Sequence, residues 1–132
     1  MSGDGIEFLT TEDVLAIHAQ QLARFGGAAG VREPGLLDSA VAQAQASFGG
    51  QRMHGDVIAM AGAYWFHIVR NHAFVDGNKR TGLLACLVFL RRHGWSLDHA
   101  SPELYDLTLA LADGKLSKAQ LTDWLRLHAK LG

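Results

Sequence analysis

Nine consecutive residues, His72–Arg80 (HAFVDGNKR), combine side chains that suit the handling of phosphate groups. Histidine exchanges its ring proton near neutral pH, so His72 is a candidate base that takes a proton from an attacking hydroxyl. A single carboxylate beside phosphates suits Mg²⁺, which keeps several waters and shares phosphate oxygens, so Asp76 is a candidate magnesium ligand. The simpler alternatives are a structural histidine and an aspartate that only caps the next helix.

The second half of this stretch predicts an anion-binding helix start. Gly77 permits a tight turn, and the first N–H groups of the helix after it have no intrahelical acceptors. These donors and the positive end of the helix dipole attract phosphate. Lys79 adds a mobile positive charge to this site, and Arg80 adds two parallel hydrogen-bond donors. Asn78 is predicted either to bind phosphate or to fix the loop. Arg70 is a further candidate phosphate ligand, although a cation that ends the preceding helix is the simpler interpretation.

The elements that must position this loop are helices, and strand signals are nearly absent. The run Leu83–Leu90 is apolar on all sides, which predicts a buried central helix from about residue 78 to residue 93. Start and stop signals predict the other helices. Before the central helix, the sequence predicts a first helix that begins at Thr10 and Thr11, a second that begins at Pro34 and a third capped by Asp56. After it, a fifth helix begins at Ser101–Glu103 and a sixth is capped by Ser117. Residues 47–54 are predicted to form a loop. The fold class is therefore all-α.

Length and composition exclude several classes of protein. The 132 residues show no internal boundary, which predicts one domain over residues 1–132. A formal charge of −1 argues against an electrostatic nucleic-acid binder. A single cysteine, Cys86, rules out a disulfide framework. Its place in the apolar run predicts that it is a small buried hydrophobic residue. No apolar run is long enough to span a membrane, and residues 1–5 lack the start of a signal peptide, so we expect a cytoplasmic protein with no membrane partner.

At these residues the chain resembles the Fic/Doc (Fido) family, whose pattern is His-x-Phe-x-Asp/Glu-Gly-Asn-Gly/Lys-Arg. The resemblance spans roughly residues 11–94, and its lysine variant is typical of the Doc, or death-on-curing, toxin branch. It implies a Fic/Doc-type bundle of about six helices around a buried central helix. It also implies that His72 deprotonates a target hydroxyl, that Asp76 holds Mg²⁺, and that Asn78 and Arg80 hold the phosphates of ATP. The segment Gly30–Glu33 (Gly30, Val31, Arg32, Glu33) would be a short flap that docks the target's backbone.

The reaction depends on Lys79. The family's adenylyltransferases usually have glycine at this position and a second arginine where this chain has Leu83. The resemblance to the Doc branch therefore implies transfer of the ATP γ-phosphate to a threonine of elongation factor Tu, with Lys79, Arg80 and Mg²⁺ stabilising the transferred phosphoryl group. Gly77 is the form that AMP transferases carry, so AMP transfer to a protein hydroxyl stays open. A catalytically inactive interaction module is a third possibility.

An activity of this kind would be toxic, so its control matters. Self-inhibiting members of the family carry Ser/Thr-x-x-x-Glu-Gly/Asn on a helix, and none of the four glutamates of this chain fits that pattern. The resemblance then implies a type II toxin–antitoxin system. Inhibition would come in trans from an antitoxin similar to Phd, whose C-terminal segment would lie in a groove of this domain.

Overall fold

A computed structural model describes residues 5–132 of the protein, and residues 1–4, the start of the segment predicted to lack a signal peptide, lie outside the described part. Six α-helices carry the fold: α1 (Thr11–Phe25), α2 (Pro34–Ala42), α3 (Val57–Asn71), α4 (Asn78–Arg92), α5 (Glu103–Ala112) and α6 (Lys118–His128). A 3₁₀ turn (Gln43–Gln45) extends α2. The prediction of an all-α bundle of six helices is confirmed.

The helices begin where their capping residues predict. The Thr10 hydroxyl accepts from the Asp13 N–H while the Asp13 carboxylate accepts from the Thr10 N–H, which forms a capping box for α1. Pro34 is the first residue of α2, where its missing N–H costs nothing. Asp56 accepts from the N–H of Ala59 at the start of α3. These side-chain bonds satisfy donors that a helix leaves unpaired, so short local signals set the helix starts.

Residues 47–54 do not form the simple loop that the sequence predicts. Two short antiparallel strands, β1 (Ser47–Phe48) and β2 (Gln51–Arg52), form a hairpin there. Gly49 and Gly50 join the strands with φ of 59° and 82°, the left-handed pair that a two-residue hairpin turn requires. A second pair, β3 (Trp95–Ser96) and β4 (Lys130–Leu131), ties the end of the chain to the end of α4.

The most enclosed helix is α3, not α4. Nearly every residue of α3 between Ile58 and Val69 is buried, and this helix packs against α2, α4, α5 and α6. Helix α4 buries one side, which includes Cys86, and leaves Leu83 and Leu87 only half-buried. The apolar pattern on all sides of α4 therefore predicted more burial of this helix than the structure shows, because Leu83 and Leu87 line a cleft. Cys86 is buried as predicted, and burial raises the pKa of its thiol.

Helices α3 and α4 approach each other closely at Gly82. A Cβ atom on Gly82 would lie 2.7 Å from Val69 Cγ2 and 3.1 Å from the carbonyl oxygen of Trp65. No side chain fits there without moving the helices apart. The glycine thus fixes the distance between α3, which His72 caps, and α4, which begins within the stretch His72–Arg80, called the motif below.

We predict that Gly82→Ala destabilises the protein by about 1–3 kcal/mol through overpacking. Gly35→Ala is the matched control, because Gly35 also lies in a helix but has open space around its Cβ position. That control should be neutral or stabilise the fold by about 0.5–1 kcal/mol. Urea unfolding followed by circular dichroism measures both, and equal effects of the two substitutions would contradict the close approach.

Three basic groups meet between α3, α6 and the residues after the hairpin. Lys118 Nζ lies 3.0 Å from His67 Nε2. Burial, followed by the charge of Lys118 and then by His54, lowers the pKa of His67 from 6.5 to about 4. Burial and Lys118 also lower the pKa of His54, whose buried Nδ1 has no hydrogen-bond partner in the described part of the chain. Both imidazoles therefore bind a proton less readily in the folded protein than in an unfolded chain.

This cluster predicts acid sensitivity. The unfolded chain takes up a proton at His67 below about pH 6.5, whereas the folded protein resists it until about pH 4. Stability should therefore fall as the pH drops through this window. We expect the urea midpoint to fall less between pH 7.5 and 4.5 in His67→Gln than in the wild type. In His128→Gln, at an exposed histidine, the urea midpoint should fall as much between pH 7.5 and 4.5 as in the wild type. A fall of the urea midpoint in His67→Gln equal to that of the wild type would show that His67 does not cause the acid sensitivity.

None of the helices within residues 5–132 is long and apolar enough to cross a membrane.

Candidate active site

A cleft of about 520 Å³ opens at the start of α4. The motif forms one wall, the end of α1 another, and half-buried leucines of α4 together with the start of α5 form the floor and the far side. The lining residues are Gln21, Phe25, His72, Val75–Arg80, Leu83, Leu84, Leu87, His99, Ser101, Leu104, Tyr105 and Thr108. Asp76 is the one acidic residue among these described lining residues, whereas Lys79 and Arg80 are both cations. The cleft therefore favours an anion.

Two left-handed residues shape the motif loop. His72 ends α3 with φ 51° and ψ 48°, and it is the one non-glycine residue with positive φ in the described part of the chain. A left-handed conformation costs an ordinary residue about 1–2 kcal/mol, and such strain clusters at functional sites. Gly77 adopts φ 80° at no such cost and begins α4. The exposed His72 side chain is thereby placed at the edge of the cleft.

Asn78 fixes this loop from inside. Its side-chain oxygen accepts from the N–H of Phe74, and its side-chain nitrogen donates to the carbonyl of Phe74, each at 3.0 Å. Only 4% of Asn78 is exposed. Of the two predicted roles of Asn78, this conformation shows the loop-fixing one, and phosphate binding by its side chain stays a prediction.

His18, on α1, supports the loop from the other side. Its ring stacks on Phe74 with centroids 3.7 Å apart and planes at 7°. Its Nε2 lies 2.7 Å from the carbonyl oxygen of Asp76. Because a carbonyl only accepts, Nε2 carries the proton and donates. His18 is 5% exposed, so the turn before α4 rests on a packed aromatic pair.

The Asp76 carboxylate lies at the mouth of the cleft and is exposed. Its two oxygens accept from the N–H of Gly77 at 2.8 Å and from the N–H of Ala28 at 3.3 Å. Each oxygen keeps a second lone pair, so these bonds orient the carboxylate without consuming it. The described residues contain no group of three or more metal-ligating side chains. One oriented carboxylate beside an anion cleft fits Mg²⁺ that completes its shell with water and phosphate oxygens.

The cations line the same wall. Lys79 and Arg80 are exposed in the first turn of α4, where Gly77 has no side chain to cap the first N–H groups. The Arg80 guanidinium lies 4.2 Å above the ring of Phe25 from α1. Arginine that stacks on a ring can still donate from the edge of its plane. The geometry thus joins helix N–H groups, an ammonium and a guanidinium at one anion site.

Arg70 does not reach this site. Its Nη1 donates to the carbonyl oxygens of Leu111 and Ala112, at 3.2 and 3.4 Å, and does not line the cleft. These carbonyls end α5, where a cation is favoured by the helix dipole. In this structure Arg70 is a cation at a helix end, as in the simpler of its two interpretations, although the helix that it closes is α5, and phosphate binding by Arg70 stays a prediction.

The predicted flap lies directly against the motif loop. Val31 and Phe74 form an isolated antiparallel bridge, and the Val75 N–H donates to the Gly30 carbonyl at 3.1 Å. The N–H groups of Arg32 and Glu33 both donate to the Ala73 carbonyl, at 2.7 and 3.0 Å. The segment Gly30–Glu33 is thus a short extended piece beside the cleft, and docking of a target there stays a prediction.

Comparison with known proteins agrees with this geometry. A model described as the Fic/DOC family matches residues 8–90. The chain belongs to the Fic/DOC family. It is 35% identical over 118 residues to "Protein kinase doc" of Escherichia phage P1, which covers 89% of this chain and 92% of that protein. It is 45% identical over 91 residues to "Toxin Doc" of Mycolicibacterium smegmatis, which covers 69% of this chain and 68% of that protein.

Several residues around the Fic/DOC motif escaped the sequence analysis. His18, Gln21 and Phe25 all contact the motif or line the cleft. Their spacing of three and then four residues places them on one face of α1, and this was the signal that could have found them. His99 and Tyr105, which close the far side of the cleft, have no comparable signal, because only the packing of α5 and of the segment before it brings them there.

Proposed function

We propose that this Fic/DOC protein is the toxin of a type II toxin–antitoxin system that transfers the γ-phosphate of ATP to a threonine of elongation factor Tu or a similar translation factor. The observation that carries the proposal is the position of Lys79 in the first turn of α4, inside a cleft shared with His72 and Asp76. Similarity over 89% of the chain to a relative named a protein kinase supports the phosphate-transfer form.

The geometry supports a division of labour among the chain's own residues. His72, exposed at the cleft edge, would take the proton of the threonine hydroxyl as its oxygen bonds to the γ-phosphorus. The bond between that phosphorus and the bridging oxygen would break, and ADP would leave. Lys79, Arg80 and the free N–H groups of α4 would stabilise the negative charge on the transferred group. Mg²⁺ held at Asp76 would neutralise phosphate charge when bound.

AMP transfer is the second candidate. Gly77 is the residue that the AMP-transferring pattern carries at this position, and it keeps AMP transfer open. The Lys79 side chain lines the cleft where adenylyltransferases of the family have glycine. We expect it to exclude the orientation of ATP that AMP transfer needs and to favour the reversed orientation, with the γ-phosphate toward the target hydroxyl. Phosphate transfer is therefore the favoured reaction.

One labelling experiment separates the two reactions. The full-length protein is incubated with elongation factor Tu, MgCl₂ and ATP labelled either at the γ- or at the α-phosphate. We expect label on the factor from γ-labelled ATP alone, with a mass increase of one phosphate and loss of transfer in excess EDTA. Label from α-labelled ATP alone would establish AMP transfer, and label from neither would reject this target.

Control by an antitoxin completes the proposal. A Phd-like partner encoded beside this chain would bind a groove of the domain in the cytoplasm, where translation factors are found. Co-expression of the neighbouring short reading frame should restore growth that expression of this chain alone arrests. Continued arrest despite soluble co-expression would argue against that partner.

A further inference from the structure

The side chain of Arg32, in the predicted docking flap, lies against His72. Arg32 Nη2 donates to the carbonyl oxygen of His72 at 2.8 Å, across forty positions of sequence. The same nitrogen lies 3.5 Å from His72 Nδ1. The shorter contact is a charge-assisted hydrogen bond, whereas the longer one is too long for a strong bond. Arg32 therefore acts on the backbone of His72, and the ring lies beside its guanidinium.

The left-handed backbone conformation of His72 has to be stabilised by its surroundings. His72 is left-handed without being glycine, so it would gain by relaxing to a right-handed conformation. The carbonyl of the next residue, Ala73, is held by the N–H groups of Arg32 and Glu33. The Arg32 side chain holds the carbonyl of His72 itself. A hydrogen bond from a charged donor is comparable in strength to the strain of one left-handed residue, so this contact is able to decide the conformation.

We infer that Arg32 is a positioning residue that holds His72 in its left-handed turn and thereby aims the imidazole at the cleft. This inference rests on the proposed role of His72 as the base and gives the flap a function besides docking. If Arg32 is lost, the turn at His72 relaxes and the ring swings away from the reacting hydroxyl. Misplacement of a catalytic group by about 1 Å costs up to about a hundredfold in rate.

The test compares three variants of the full-length protein: Arg32→Ala, Arg32→Lys and Arg91→Ala. Lysine keeps a cationic donor on a long stem. Arg91, exposed in the last turn of α4 and away from the cleft, is the matched control. Two readouts are collected: the HN–Hα coupling and Cα chemical shift of His72 by NMR, which report its φ, and kcat and KM for γ-phosphate transfer.

We expect Arg32→Ala to move the His72 coupling and shift toward right-handed values. We also expect kcat to fall about ten- to a hundredfold, with KM for ATP and for the target within about twofold. Arg32→Lys should recover part of both effects, and Arg91→Ala should match the wild type. Wild-type NMR values for His72 in Arg32→Ala would overturn the inference. A raised KM for the target with unchanged kcat would also overturn it, since Arg32 would then be a docking contact.

The NMR arm needs no transferase activity. If the wild type transfers no phosphate, the proposed function fails while the His72 signals still decide whether Arg32 holds the turn.

Discussion

His72→Ala is expected to lower the proposed γ-phosphate transfer to elongation factor Tu by about 10²–10⁴-fold, the usual contribution of a positioned general base. His72 is exposed at the cleft, and Arg32 is bonded to its backbone carbonyl, which alanine retains. The substitution should therefore leave folding intact while it removes the proposed proton acceptor. Initial rates with γ-labelled ATP measure the effect, and expression of the variant should no longer arrest growth.

The matched control for this variant is His128→Ala, at an exposed histidine in the last turn of α6. It should keep wild-type transfer and toxicity. If His72→Ala keeps both as well, the protein does not use His72 as a base. A catalytically inactive module that acts by binding a partner would then be the better account.

Removing the charge of Lys79 should have the second largest effect. Lys79→Met keeps most of the stem and removes the ammonium, so γ-phosphate transfer should fall about 10²–10³-fold, as it does when an electrostatic donor to the transition state is lost. Lys79→Gly removes the stem as well and opens the wall of the cleft at the first turn of α4. We expect that variant to lose γ-phosphate transfer and to gain label from α-labelled ATP.

Lys115→Gly, at an exposed lysine between α5 and α6, controls for the loss of a lysine in general. Mass spectrometry of the target distinguishes the products, because AMP and phosphate differ greatly in mass. Full γ-phosphate transfer by Lys79→Met would show that the ammonium does not stabilise the transferred group. AMP transfer by the wild type would show that Lys79 does not exclude the orientation of ATP that AMP transfer needs.

Local signals carried much of the prediction. The capping residues Thr10, Asp56 and Ser117 each accept from an N–H group three positions away, so helix starts follow from short stretches of chain. The motif is also local, since Gly77 and the two cations after it shape one turn of α4. The hairpin at residues 47–54 was missed although Gly49 and Gly50 are a turn signal, because its strands have only two residues each.

Contacts between distant residues lay beyond such signals. Arg70 has the same charge whether it faces phosphate or the end of α5, and only the packing of α5 against α3 places it at the carbonyl of Leu111. The enclosure of α3 in place of α4 likewise depends on which neighbours cover each helix. An apolar pattern shows that a face avoids water, but it does not tell a cleft-lining leucine from a core leucine.

By itself, then, the sequence determined the chemistry available at His72–Arg80, the six helices and the membership of the family that the motif indicates. The tertiary structure decided which distant residues help to hold that chemistry in place. His18 meets the loop across 58 positions and Arg32 meets His72 across 40. The physical reason is that hydrogen bonds and ring stacking depend on atoms within a few ångströms of each other. Only the packed helices bring these residues so close.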